Sequence, residues 1–147
     1  METTDRTPVD TVLALYDSYG RGDIPAVLDL FADDAVMEDH GVTTSAQLAG
    51  HALLAVRRGK PEVAGFFAEA AALAVHEFTV HEVLGSPSSG TVVALVTVDF
   101  GLPNGGRYRD AEAHVWTVGA DGRATSVRHI VDTAKHLDAR RGVDTTA

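Results

Sequence analysis

Leu30-Phe31-Ala32-Asp33-Asp34-Ala35-Val36-Met37-Glu38-Asp39, following Gly22-Asp23 and a short helical stretch, is the segment whose reading decides the fold. It reads as a helix emptying into an acidic strand. Side chains of a strand repeat every second residue, so Val36 and Glu38 point one way and Met37 and Asp39 the other. One of the two carboxylates therefore faces inward. A buried carboxylate is costly unless it is paired or kept for proton chemistry, so this strand end is the first place to look for a site.

Working outward, Thr7-Pro8 predicts the capped start of a helix whose Val9, Val12, Leu13 and Tyr16 recur at helical spacing. Asp23 predicts the cap of a second short helix, with Pro25 in its first turn and Val27, Leu28 and Phe31 on its buried side. From 41 to 59 the chain predicts a helix capped at Ser45 and closed at Gly59. Pro61 opens another, with Val63, Phe66, Phe67, Ala70 and Leu73 as its apolar stripe. After Val75 the pattern becomes that of strands, near 76–84, 91–102, 107–118 and 124–134, separated by turn signals at Gly85–Gly90, Pro103–Gly106 and Ala120–Gly122. A helical tail runs through Arg140. Helices first and hairpin-linked strands afterwards predict an α+β domain, with helices on one face of an antiparallel sheet that closes into a cone if strongly curved.

With 147 residues the chain suits one domain, 1–147. Its 12 Lys+Arg against 21 Asp+Glu give a net charge of -9, which repels phosphate backbones and anionic membranes and speaks against nucleic acid as a partner. The absence of Cys removes thiolate nucleophiles, sulfur metal ligands and disulfides. Met1 to Val9 lacks the apolar core of a secretory signal, and no apolar run reaches membrane-spanning length, so a soluble cytoplasmic protein is expected. No His pair at helical metal spacing, no glycine-rich phosphate cradle and no serine nucleophile elbow is present, so metal, phosphate-cradle and serine-triad chemistry are not expected.

The order of elements, together with Gly22-Asp23, Leu30–Asp39, Gly59–Phe67 and the last hairpin with its GADGRATSVRHIVDTAKHL sequence, resembles the cone-shaped nuclear transport factor 2-like fold. Within it the chain is similar to the ketosteroid isomerase and SnoaL-like polyketide cyclase group. The resemblance implies a deep apolar pocket between helices and the concave sheet face, a small-molecule substrate and a homodimer through the outer sheet face. It also implies that Asp39 stands where the isomerases keep the aspartate that moves a proton beside a carbonyl. The isomerases' oxyanion aspartate falls on His114, and their tyrosine on Ala14, two residues from Tyr16; Phe67 occupies another tyrosine position. These departures speak against steroid isomerisation itself. Tyr16 with Asp17-Ser18-Tyr19, and His76, resemble scytalone dehydratase-like members, and residues 41–58 read as an insertion able to form a lid.

If His114 faces the pocket, alternation brings Asp110, Glu112 and Trp116 with it. Asp39, Glu112 and His114 then form an acid/base set, with Tyr16 as a donor to substrate oxygen and Trp116 as a stacking surface. Phe67, His76 and Asp132 complete the candidate binding residues. The expected activity is cofactor-independent isomerisation, cyclisation or dehydration of a polyketide- or terpenoid-like molecule in secondary metabolism, such as antibiotic biosynthesis. Two alternatives stand beside it. One is epoxide opening by Asp39 with Asp132, and the other is a noncatalytic ligand-binding or dimeric module. Each residue also has a plain structural reading: Asp39 as a turn cap before His40-Gly41, Glu112 and His114 as a buried pair, Tyr16 as core.

Overall fold

Thr7 opens α1 (Pro8–Gly20) with a capping box: its hydroxyl accepts from the Asp10 N–H while the Asp10 carboxylate accepts from the Thr7 N–H. The computed structural model describes residues 6–147, so most of the Met1–Val9 stretch read for a signal lies outside the described residues. Asp23 caps α2 (Ile24–Asp29), which leads straight into β1 (Phe31–Met37). Val12 and Leu15 of α1, Val27 of α2, and Phe31, Ala35 and Met37 of β1 bury together against Val92, Trp116, Val118 and Val127 of the sheet, forming the main core.

The helix expected from Ser45 to Gly59 is broken. Thr44, not Ser45, caps a single turn, α3 (Ser45–Leu48), and Gly50 at φ +73 ends it. A 3-10 turn at Ala52–Leu54 and a two-residue strand, β2 (Arg57–Arg58), follow. Then come α4 (Lys60–Ala70), β3 (Ala74–Gly85), β4 (Thr91–Gly101), β5 (Arg107–Val118), β6 (Ala124–Ile130) and α5 (Thr133–Arg140).

The six strands form one sheet in the order β2-β1-β6-β5-β4-β3. All neighbours are antiparallel except β1 and β6, which run parallel, with Met37 opposite Val127. β4 and β5 pair without slippage from Thr91–Thr117 to Gly101–Arg107, whereas β3 carries register shifts after Val75 and Val80. Such shifts add bend and twist to a sheet, which folds around the helices as the expected cone. α5 returns across the sheet end and packs on β5, where Gly106 makes the approach possible. A Cβ there would sit 1.8 Å from the Ala139 carbonyl oxygen.

Candidate functional site

β5 supplies the floor of the site. Its alternating side chains send Tyr108, Asp110, Glu112, His114 and Trp116 into the interior, all of them buried. Donor and acceptor chemistry then fixes the direction of each hydrogen bond. The Trp116 indole N–H can only donate, and it does so to the Tyr16 hydroxyl oxygen at 3.1 Å. The Tyr16 hydroxyl donates in turn to His114 Nδ1 at 2.6 Å, and His114 Nε2–H donates to Glu112 Oε1 at 3.1 Å. This polarity requires a neutral imidazole. Burial, aided by the nearby charge of His129, drives His114 down to about 4 against the pull of Glu112.

Glu112 Oε2 accepts from His136 Nε2 at 3.2 Å, and Asp110 Oδ2 lies 3.7 Å from the same nitrogen. Burial pushes the Glu112 carboxyl up, but hydrogen bonds from both histidines and the nearby charge of His129 pull it further down, so it stays ionised. For His136 burial works downward and is outweighed by Asp110 and Glu112, so its proton affinity is raised. The protonated ring then donates from Nδ1 to His51 Nε2 at 3.4 Å. His51, lowered to about 4 by burial and then by the charges of His136 and Arg140, is the neutral acceptor this needs.

A second acid–histidine pair lies at the end of β1. Glu38 has φ +62, the sole non-glycine residue with positive φ among the described residues, and is 1 % exposed. This left-handed step costs roughly 1–3 kcal/mol, and it is held by the Glu38 N–H donating to Val127 O (2.9 Å) and the Gln47 side chain donating to Glu38 O (2.7 Å). The step also breaks the alternation: Met37 and Glu38 are both buried and Asp39 is turned out. The Glu38 carboxylate accepts from the His129 backbone N–H at 2.8 Å and from His40 Nε2 at 3.2 Å, and it bonds His129 Nδ1 through its other oxygen. Burial acts first on both partners and against their charge. Their mutual attraction and hydrogen bonds outweigh it, so Glu38 is lowered and His129 raised above its ordinary 6.5. With Nδ1 turned to Glu38, the opposite ring nitrogen, Nε2, has no hydrogen-bond partner among the described residues. The His129 ring lies 4.3 Å from that of His114 and stacks on Phe66 at 5.5 Å.

Between these two clusters lies a cavity of about 80 Å³, lined on its polar side by Tyr16, Glu112, His114, His129 and His136. Its apolar wall comes from Leu54, Phe66, Leu73, Phe78, Val98 and Phe100. Several sequence expectations are corrected by this arrangement. Asp39, expected as the base, accepts from the Gly41 N–H in a turn and pairs with Arg58 on the surface. Asp132 is not an inward residue of the last strand, because β6 ends at Ile130 and Asp132 caps α5 by accepting from the Lys135 N–H. His76 is exposed on β3. Phe67 packs behind the cavity wall on Tyr19 and Phe31, and Phe66 takes the lining position instead.

His129, His136 and His51 were not singled out in the sequence, and Glu38 only as one of two acids of which one must face inward. His129 had a signal, since Val127, His129 and Val131 alternate with Arg128 and Ile130; His136 and His51 reach the site only through tertiary packing. That packing also assembles a cluster the sequence did not reveal: ligand atoms of Asp110, Glu112 and His136 lie within 4.8 Å of one another, a spacing three ligands of one metal ion can have. The same donors are engaged with each other here, and His136 would have to lose its proton before serving as a ligand.

Residues 12–127 match the family described as the SnoaL-like domain, and the chain belongs to that family. Among solved structures it is similar to an NTF2-like protein of unknown function from Burkholderia pseudomallei (25% identity, 90% of this chain and 95% of that one, TM-score 0.73). It is also similar to a Δ5-3-ketosteroid isomerase from Mycobacterium sp. (21%, 88% and 96%, 0.68). A third is a Mycobacterium tuberculosis protein in complex with estradiol-17beta-hemisuccinate (23%, 84% and 92%, 0.65). No curated protein matches the chain in sequence. No helix among the described residues is long and apolar enough to cross a membrane.

Proposed function

We propose that this protein is a cofactor-independent acid–base enzyme acting on an apolar, oxygenated small molecule of polyketide or terpenoid type, by isomerisation, cyclisation or dehydration. The observation that carries the reading is the Glu38–His129 couple, an imidazole whose proton affinity a buried carboxylate raises, with its second nitrogen uncommitted beside an apolar cavity. His129 gives the Nε2 proton to a substrate oxygen, or takes one from carbon in its neutral form. Glu38 holds the Nδ1–H tautomer and stabilises the charged state in either direction. The role first expected of Asp39 passes to this pair. Tyr16, His114 and Glu112 act as a preorganised wall, since each of their protons is already spent within the chain from Trp116 to Glu112. The same placement leaves epoxide opening by Asp39 and Asp132 without a shared cavity.

Residues 44–54 roof the cavity with Leu53 and Leu54, which supports reading 41–58 as the segment that admits ligand. A homodimer through the outer sheet face would cover Leu95 and Ile130, exposed there on β4 and β6.

Deuterium incorporation beside the carbonyl of a cyclic aryl ketone in heavy water, followed by mass spectrometry, tests the reading without knowledge of the natural substrate. Wild type accelerates the exchange, His129→Gln loses roughly 10²–10⁴-fold of that acceleration, and Asp39→Asn retains it. Binding of the ketone with no accelerated exchange would instead mark a ligand-binding module.

A further inference from the structure

Of the polar atoms around the cavity, nearly all are spent. Trp116, Tyr16, His114, Glu112, His136 and His51 form one continuous hydrogen-bonded row, and Asp110 accepts from the Asp132 N–H at 3.0 Å. Besides His129 Nε2, Tyr108 stands out. It lies at the start of β5, is 2 % exposed, lines the cavity, and has a buried hydroxyl with no hydrogen-bond partner. Its ring is fixed on two sides, 4.1 Å from the His136 ring and edge-on to Phe100 at 5.8 Å. A buried hydroxyl without a partner is disfavoured, and folding gains nothing from it that phenylalanine would not supply.

We propose that Tyr108 is the donor of a second polar subsite, which takes an uncharged acceptor oxygen (a carbonyl, ether or hydroxyl) at the end of the ligand away from His129. The proposal rests on the acid–base reading only for what happens at His129. Tyr108 and His114 are six residues apart on one strand face, and His114 is paired in register with His129, so the His129 subsite lies beside His114 and the Tyr108 subsite beside His136, with Glu112 between them. The ligand is therefore an extended apolar body with an oxygen at each end. Charge decides the kind of oxygen. Glu112 and Asp110 are the anions nearest Tyr108, and the one charged imidazole beside them, His136, is already shared between them. An anionic group would meet like charge there, while a neutral acceptor meets a phenol that burial and those carboxylates keep protonated.

Binding of two probes, a naphthol with one oxygen and a dihydroxynaphthalene with one at each end, is read by the fluorescence of Trp116, the chain's one tryptophan. Wild type is expected to prefer the two-oxygen probe by roughly tenfold. Tyr108→Phe abolishes that preference, holds the one-oxygen probe within about twofold, and melts without ligand at or above the wild-type temperature, as removal of an unpartnered buried hydroxyl should. A preference that survives in Tyr108→Phe, a wild type that shows none or binds neither probe, or a variant that melts lower overturns the subsite. None of these readings depends on turnover, so loss of ketone exchange in heavy water with the probe preference intact would remove the acid–base reading alone.

Discussion

Two acid–histidine clusters stand side by side in the interior, built from the same residue types, and their hydrogen bonds are arranged differently. In the β5 cluster the Glu112 carboxylate is divided between a neutral His114 and a charged His136, and every ring nitrogen has a partner. In the β1–β6 cluster the Glu38 carboxylate concentrates on His129, raises it, and leaves one nitrogen without a partner. Residue type does not distinguish a closed network from one that can still bond a ligand; the number of uncommitted donor and acceptor atoms does.

The largest effect that sharpens this contrast comes from Glu38→Gln. Leaving a buried charged histidine without its carboxylate costs about 3–5 kcal/mol of stability, read by denaturant unfolding. Ketone exchange falls with it, because His129 without Glu38 is a weaker base and its Nδ1–H tautomer is no longer held.

Next comes acid. His114 and His51 have folded-state values of about 4 against 6.5, so each favours folding while neutral. Their contribution is present above pH 6.5 and is lost as pH falls from 6.5 to 4, by up to about 3 kcal/mol for each histidine. Melting temperature therefore falls on the acid side. His129 has the opposite sign: its raised value stabilises the fold below pH 6.5, and that contribution disappears as pH rises through the folded-state value.

A smaller effect follows from Tyr16→Phe, which strands the Trp116 N–H and His114 Nδ1 at a cost of about 1–3 kcal/mol in thermal or denaturant melts. Ketone exchange per folded molecule changes little, since the row only walls the cavity. Asp39→Asn lies at the bottom of the scale. It removes a surface pair and leaves both the melt and the exchange unchanged; a loss of exchange there would return the catalytic role to Asp39.

The inward row on β5 was legible because an uninterrupted strand obeys period-two alternation over its whole length. The choice between Glu38 and Asp39 was not, although the sequence did establish that one acid must be inside. Its outcome turns on one left-handed residue that carries no glycine to announce it, and that is held by Val127 and by Gln47 from another segment. The helix expected from 45 to 59 is broken for a more local reason: Gly50 is a stop signal inside it. His136 lies on the helical tail that the sequence did suggest, but its place beside Glu112 depends on α5 docking against β5 over a hairpin that ends in Gly106. Short-range patterns carry no trace of such docking.

The most direct test is the titration of the His129 imidazole by NMR in wild type and Glu38→Gln. A charged couple predicts a wild-type pKa above 6.5 that drops below it in the variant, with His114 remaining neutral down to about 4. A His129 that titrates at or below 6.5 in wild type, and does not respond to the loss of the Glu38 charge, would contradict the assignment of Glu38 and His129 as the working pair.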